Sequence, residues 1–165
     1  MEQTGQLQQY LLSILVKNRV GVLSRISGLI ERRGYNIESI TAVPIRVGEN
    51  QTRITLVVVG DPAVVEHVIR QISNLEDIVR VDKLVEEENY CMELLLVRIG
   101  VTPDNRRRAR EMADIYGAQV LHQTEEELGL QVSGVPKRID VFLDRMAEFP
   151  LLEMSRTGIT AMAKK

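Results

Sequence analysis

Two hydrophobic periods alternate along this chain. Residues 10–16 are an apolar run of strand length, closed by the polar turn Lys17-Asn18-Arg19. Val22, Ile26, Leu29 and Ile30 then recur at i, i+4, i+7 and i+8, one face of a helix, and Gly34 stands where a helix commonly ends. Residues 36–47 return to the two-residue period of a strand, with Ile37, Thr41, Val43 and Ile45 on one face. Pro44 cannot donate to a ladder, so this is expected to be an edge strand or to carry a bulge. Gly48-Glu-Asn50 is a turn, and residues 52–59 predict a strand that pairs antiparallel with the one before it. Asp61-Pro62 supplies a capping side chain followed by proline in the first turn of a helix. Val65, Val68, Ile69 and Ile72 continue that helix, and residues 78–84 predict a further strand. The order is β-α-β-β-α-β.

The charged stretch Glu86-Glu-Glu-Asn89 interrupts the pattern, and the same order then starts again. Residues 91–101 predict a long strand, and Thr102-Pro103 repeats the cap-plus-proline signal. Ala109, Met112, Ala113 and Tyr116 share a helix face closed by Gly117. Residues 118–122 and 128–132 predict a hairpin around 124–127. Ile139, Phe142, Leu143 and Met146 mark another helix, and residues 151–155 a last strand. The chain is thus expected to be α+β, two ferredoxin-like βαββαβ sandwiches in tandem, each an antiparallel sheet with two helices on one face. The expected boundaries are a polar tail at 1–9, a first domain at 10–85, a linker at 86–90 and a second domain at 91–165. Units of this size are marginal alone, which favours self-association, and the strand at 36–47 is the natural edge for two copies to share.

Composition narrows the function. Apolar residues make up 44% of the 165, enough for a core, but with no Trp that core must be aliphatic. Residues 1–85 carry 10 Lys and Arg against 9 Asp and Glu, and residues 86–165 carry 11 against 14. Neither half has the basic excess of a nucleic-acid binder. Cys91 is the sole cysteine, which excludes an internal disulfide and suits a reducing compartment. The polar start lacks the features of a signal peptide, and no apolar run reaches the roughly 20 residues of a membrane span, so a cytoplasmic location is expected.

No pattern of a catalytic or metal-binding constellation is present. His67 and His122 stand apart from any nucleophile, and Cys91 reads as a small buried hydrophobe. Arg106, Arg107 and Arg110 lie on the polar face of a helix among Glu111 and Asp114. That is a solvated face in the plain reading, and a docking patch for an acidic partner in the functional one. The turn Asn18-Arg-Val-Gly-Val-Leu23 says more. It joins a strand to a helix whose first N–H groups lack partners and suit an α-carboxylate. Gly21 admits close approach, Asn18 offers an amide, and Val20, Val22, Leu23 and Ile37 suit a branched aliphatic side chain. Asn36 of a second copy, paired along the edge strand, would complete such a site. Taken alone, a tight turn and a strand cap explain the same residues equally well.

The stretches Asn18-Arg-Val-Gly-Val-Leu-Ser-Arg25 and Arg33-Gly-Tyr-Asn-Ile-Glu-Ser39 resemble the ACT-domain signature of acetohydroxyacid synthase small subunits. Val79-Arg-Val81, Arg110-Glu-Met-Ala-Asp-Ile115 and Arg156-Thr-Gly158 are similar to later parts of that family, over roughly residues 10–163. The resemblance implies that 10–85 is an ACT domain and that the chain is non-catalytic. It would bind and activate a separate catalytic subunit, which carries thiamine diphosphate, FAD and Mg²⁺, and confer feedback inhibition by valine or a related amino acid. It also implies a homodimer through the ACT domains, with effector-binding residues Asn18, Gly21, Val22, Leu23, Asn36 and Ile37. Arg19-Val20 departs from the family, and a long Arg19 could reach over the site. The alternative is an ACT regulator of another enzyme or of transcription, against which the absence of a helix-turn-helix segment counts.

Overall fold

The computed structural model describes residues 8–32, 34–46 and 50–164. Residues 1–7 of the expected tail, Arg33, Val47 at the end of the expected strand, Gly48 and Glu49 of the expected turn, and Lys165 lie outside them, while Gln8 and Gln9 already belong to the first strand. The chain forms two compact units, residues 1–90 with 159–165, and residues 91–158. This differs from the expected boundary at 91–165, because the C-terminal residues pack with the first unit. Ile159 and Ala161 are buried, and the Ile159 carbonyl accepts a hydrogen bond from Thr41 Oγ1 at 3.4 Å.

The first unit runs β1 (Gln8–Lys17), α1 (Val22–Glu31), β2 (Asn36–Pro44), β3 (Gln51–Gly60), α2 (Pro62–Ser73) and β4 (Ile78–Leu84). The sheet order is β2-β3-β1-β4, all antiparallel neighbours, and β2 is an edge. The expected caps form where the sequence put them. Asp61 Oδ1 accepts from the Ala63 N–H at 2.9 Å, and Gly34 takes the positive φ of 75° that ends α1. Leu12, Ile14 and Val16 of β1 meet Ile54, Leu56 and Val58 of β3 under Ile26, Ile30, Val68 and Ile72 of the helices. Full burial of each such aliphatic side chain is worth about 1.5–3 kcal/mol, so this layer is what fixes the strand-to-helix turn in place. The other face of β1 is buried as well. Leu11 and Ser13 are 7% and 6% exposed, under the returning C-terminal residues. That second cover is why β1 reads as a continuous apolar run and not as an alternating one.

A 3₁₀ turn at Glu86–Glu88 replaces the expected open linker, and Asn89, which follows it, is buried, its Nδ2 donating to the Val85 carbonyl at 2.7 Å. The second unit runs β5 (Asn89–Gly100), α3 (Arg106–Ile115), β6 (Gln119–Gln123), β7 (Glu127–Gly134), α4 (Pro136–Met146) and β8 (Leu151–Arg156), with strand order β6-β7-β5-β8. Strand β5 alternates buried and exposed positions, as expected where one sheet face is open. Helix α3 starts later than Thr102-Pro103 suggests. Asn105 is the cap residue, and its Oδ1 accepts from the Thr102 N–H at 2.7 Å, closing a turn ahead of the helix. A short strand, β9 (Thr160–Ala163), follows the positive-φ turn at Gly158 and has no counterpart in the sequence reading.

Candidate functional site

The turn between β1 and α1 is built around Gly21. Its φ of 84° lies in the left-handed region, and it occupies the cap position of α1 without any side-chain cap. A Cβ there would meet only the Arg25 guanidinium, at 3.7 Å, so what demands glycine is the backbone conformation and not space. Val22 donates its N–H back to the Arg19 carbonyl at 3.4 Å, and Arg25 donates to Gly21 O at 3.0 Å. Leu23 and Ser24 follow in the first turn, where helix geometry supplies no acceptor for the N–H. Asn18 is exposed beside them, its N–H held by Asn50 O at 2.9 Å.

The apolar residues around this turn do not all face it. The Val22 side chain is 4% exposed and belongs to the core, so it offers only backbone, and Val20 stands fully in solvent. Leu23, 44% exposed, is the aliphatic group that remains at the surface of the turn. The long Arg19 does not lie free over the site. Its Nη1 donates to Asp77 Oδ1 at 3.2 Å and approaches Glu76 at 3.7 Å.

Asp77 is the residue that sequence reasoning missed. It sits in the turn between α2 and β4, is 6% exposed, and takes Arg19 on one carboxylate oxygen and Arg25 Nη2 on the other. Its backbone carbonyl also accepts the Lys17 N–H at 2.8 Å. One buried acid thus ties the turn before, within and after its bend. The signal in the sequence is two arginines at a helix start with no acid in the first turn, an arrangement the helix dipole disfavours unless a carboxylate arrives from elsewhere. Asp77→Ala is expected to lower stability by about 2 kcal/mol, less than for a wholly buried pair because both arginines are half-solvated; urea denaturation measures it.

Asn36 and Ile37 lie elsewhere in the same chain. Register pairs Asn36 with Val59 and Val59 with Gln9, whereas Lys17 pairs with Gln51 and Pro44 with Thr52. Strand β2 is therefore parallel to β1, and Asn36 stands at the end of the sheet opposite the Gly21 turn. At about 3.3 Å per residue, the eight steps from Gln9 to Lys17 separate them by roughly 26 Å. The Gln9–Glu38 side-chain contact sits at that far end too. Asn36 is exposed; Ile37 is half-buried against the core. Strand β2 carries Ile40 and Val43, and Ile45 follows it; all three are exposed.

In the second unit the arginines of α3 are drawn into local ties. Arg106 Nη2 donates to the Glu125 carbonyl and Arg110 Nη1 to Gln123 Oε1 at 2.7 Å, both in the β6–β7 hairpin. Arg107 pairs along the helix with Glu111 at 3.5 Å and is the most exposed of the three. The expected patch is thus largely a brace for the hairpin. Arg156 joins three elements: Nε donates to Glu93 Oε2 at 2.6 Å and Nη1 to Asp140 Oδ1 at 2.7 Å. Burial lowers its pKa, but the bonds to Asp140 and Glu93 outweigh that and leave it raised. Cys91 is buried, and His67 shares a hydrogen bond with Gln71 at 2.9 Å. Among the described residues no group of three His, Cys, Asp or Glu is arranged to hold a metal, and no helix is long and apolar enough to cross a membrane.

Both parts of the chain are similar to one family of known proteins. Residues 12–80 match the model of an AHAS small subunit-like ACT domain, and residues 92–165 that of the small subunit of acetolactate synthase. The chain is 34% identical to a probable acetolactate synthase small subunit of Archaeoglobus fulgidus, covering 94% of this chain and 97% of that protein. It is 34% identical to the acetolactate synthase small subunit of Buchnera aphidicola, over 93% and 97% respectively. The crystal structure of the acetolactate synthase small subunit from Thermotoga maritima superposes with a TM-score of 0.84 at 24% identity, over 96% of this chain and 98% of that one, and shows the shared fold. With family models over both units and near full-length relatives at this identity, the chain belongs to the acetolactate synthase small-subunit family.

Proposed function

We propose that this chain is the regulatory, non-catalytic subunit of acetolactate synthase, which binds the catalytic subunit, raises its activity and makes it sensitive to valine or a related branched-chain amino acid. Thiamine diphosphate, FAD and Mg²⁺ belong in this reading to the catalytic subunit and to no residue of this chain. The effector sits between two copies. Its carboxylate meets the Leu23 and Ser24 amides beyond Gly21, its ammonium the Asn18 carbonyl oxygen, and its side chain Leu23.

One observation carries the reading: β2 is an open edge parallel to β1, with Asn36 at the end away from the Gly21 turn. Two β2 strands that pair antiparallel reverse one copy against the other, which carries Asn36 and Ile37 of each to the Gly21 end of its neighbour. The exposed Ile40 and Val43 would be covered in the same step. Binding between copies then couples to their pairing, and an effector shifts the assembly only by its differential affinity, typically about 1–3 kcal/mol. On the second unit, Arg107 is the cation left to meet an acidic surface of the catalytic subunit, since Arg106 and Arg110 are engaged by the hairpin.

The test is reconstitution with a catalytic subunit, with and without valine. Acetolactate formation should rise on mixing and fall again with valine. Valine uptake with no change in acetolactate formation contradicts the assignment to the synthase.

A further inference from the structure

The first unit's sheet carries a second, polar surface on the face away from α1 and α2. Register sets Thr41, Thr55, Ser13 and Asp82 side by side across the four strands, and the next row is Val43, Arg53, Leu15 and Arg80. The C-terminal residues of the same unit return over this face, with Ile159 held to Thr41. Ala161, Ala163 and Lys164 stand opposite Ser13, Leu15 and Arg53 across a cleft of about 730 Å³, closed at one end by Glu88 and Asn89. That volume falls in the usual range of ligand pockets, about 300–1,000 Å³.

The charged groups facing the cleft neutralise one another only in part. Arg80 is committed to Asp82 at 2.7 Å. Lys83 turns to the helix side, where it pairs with Glu66 at 3.4 Å and lies 4.6 Å from the centre of the Tyr10 ring. Lys164 donates to the Glu87 carbonyl. Arg53 has no hydrogen-bond or ion-pair partner among the described residues, and Glu88 at the rim has none either. Arg53 and Lys164 against Glu88 leave the cleft with an excess of positive charge. In its floor Ser13 is 6% exposed, and its hydroxyl has no hydrogen-bond partner among the described residues. The Ser13 side chain borders the cleft, so its hydroxyl can donate to a bound oxyanion. Ser13 and Arg53 are diagonal neighbours across β1 and β3, about 7–8 Å apart at the backbone, a span that a long guanidinium and one bound oxyanion bridge.

We propose that this cleft binds a small metabolite bearing a phosphate or carboxylate, its oxyanion held by the Arg53 guanidinium and the Ser13 hydroxyl beneath the C-terminal strand. The site is separate from the Gly21 turn and does not rest on the effector reading. The full chain, labelled with ¹⁵N, is titrated with inorganic pyrophosphate and separately with malonate, while amide shifts are followed. Saturable shifts confined to the neighbourhood of Ser13, Arg53, Arg80 and Ala161 are expected with at least one probe, and the probe that binds identifies the class of oxyanion. Arg53→Gln and Ser13→Ala, each checked for an intact spectrum, should weaken that binding about tenfold, the loss of one charge-assisted hydrogen bond. Absence of saturable shifts with both probes at millimolar concentration overturns the proposal. So do shifts spread over exposed Arg and Lys of both units, or an affinity unchanged in both variants.

Discussion

Gly21→Val should weaken inhibition of the reconstituted synthase by valine about 10- to 100-fold while leaving its activation near that of the parent chain. Position 21 is held at φ 84°, and a Cβ there would make only an ordinary contact with the Arg25 guanidinium. A left-handed residue other than glycine costs about 1–2 kcal/mol, and a β-branched one more. The turn relieves that strain by moving to negative φ, which redirects the Leu23 and Ser24 amides. Loss of a single hydrogen bond to a charged group is worth about 1.5–3 kcal/mol, or roughly a 10- to 100-fold rise in the valine concentration needed for half inhibition. The second unit lies outside this turn, so the assay that separates the two effects is activity against valine at saturating regulatory chain. Undiminished valine sensitivity means the Gly21 turn is not the effector site.

Arg156→Met should be the most destabilising of the surface-accessible substitutions, by about 3 kcal/mol. Arg156 is 28% exposed at its side chain, but Glu93 beneath it is 6% exposed. Methionine preserves the stem and strands a buried carboxylate on β5. The asymmetry with Asp77→Ala is instructive: there the groups left behind are two half-solvated arginines that water can satisfy, whereas here the orphan is buried. Unfolding of the variant in urea at neutral pH measures the loss. Recovery of stability in the double variant Arg156→Met with Glu93→Gln, which removes the charge at nearly constant shape, distinguishes an orphaned charge from a packing defect.

The sequence carried the element order and the helix faces because each depends on local periodicity. Ile26 and Ile30, Phe142 and Met146 are buried where their spacing put them. It also carried the edge position of β2, through Pro44 and the alternation around it. Two features depended on contacts distant along the chain. Asp77 reaches Arg25 across 52 residues, and the arginines at the start of α1 call for an acid without indicating which one. Residues 159–164 return to the first unit although the βαββαβ pattern is already complete at residue 156. Asn105 outcompeted Thr102 as the cap of α3 because Pro103 lies within a turn ahead of the helix and not in the helix itself.

The sharing of one amino acid between two copies is tested most directly by calorimetric titration of valine into the complete chain, parent and Asn36→Ala, with the assembly state followed in parallel. Saturable uptake by the parent, and its loss in Asn36→Ala although that residue lies at the opposite end of its own sheet from Gly21, is the predicted result. Uptake by Asn36→Ala equal to that of the parent, or no uptake by the parent alone or assembled with the catalytic subunit, contradicts it.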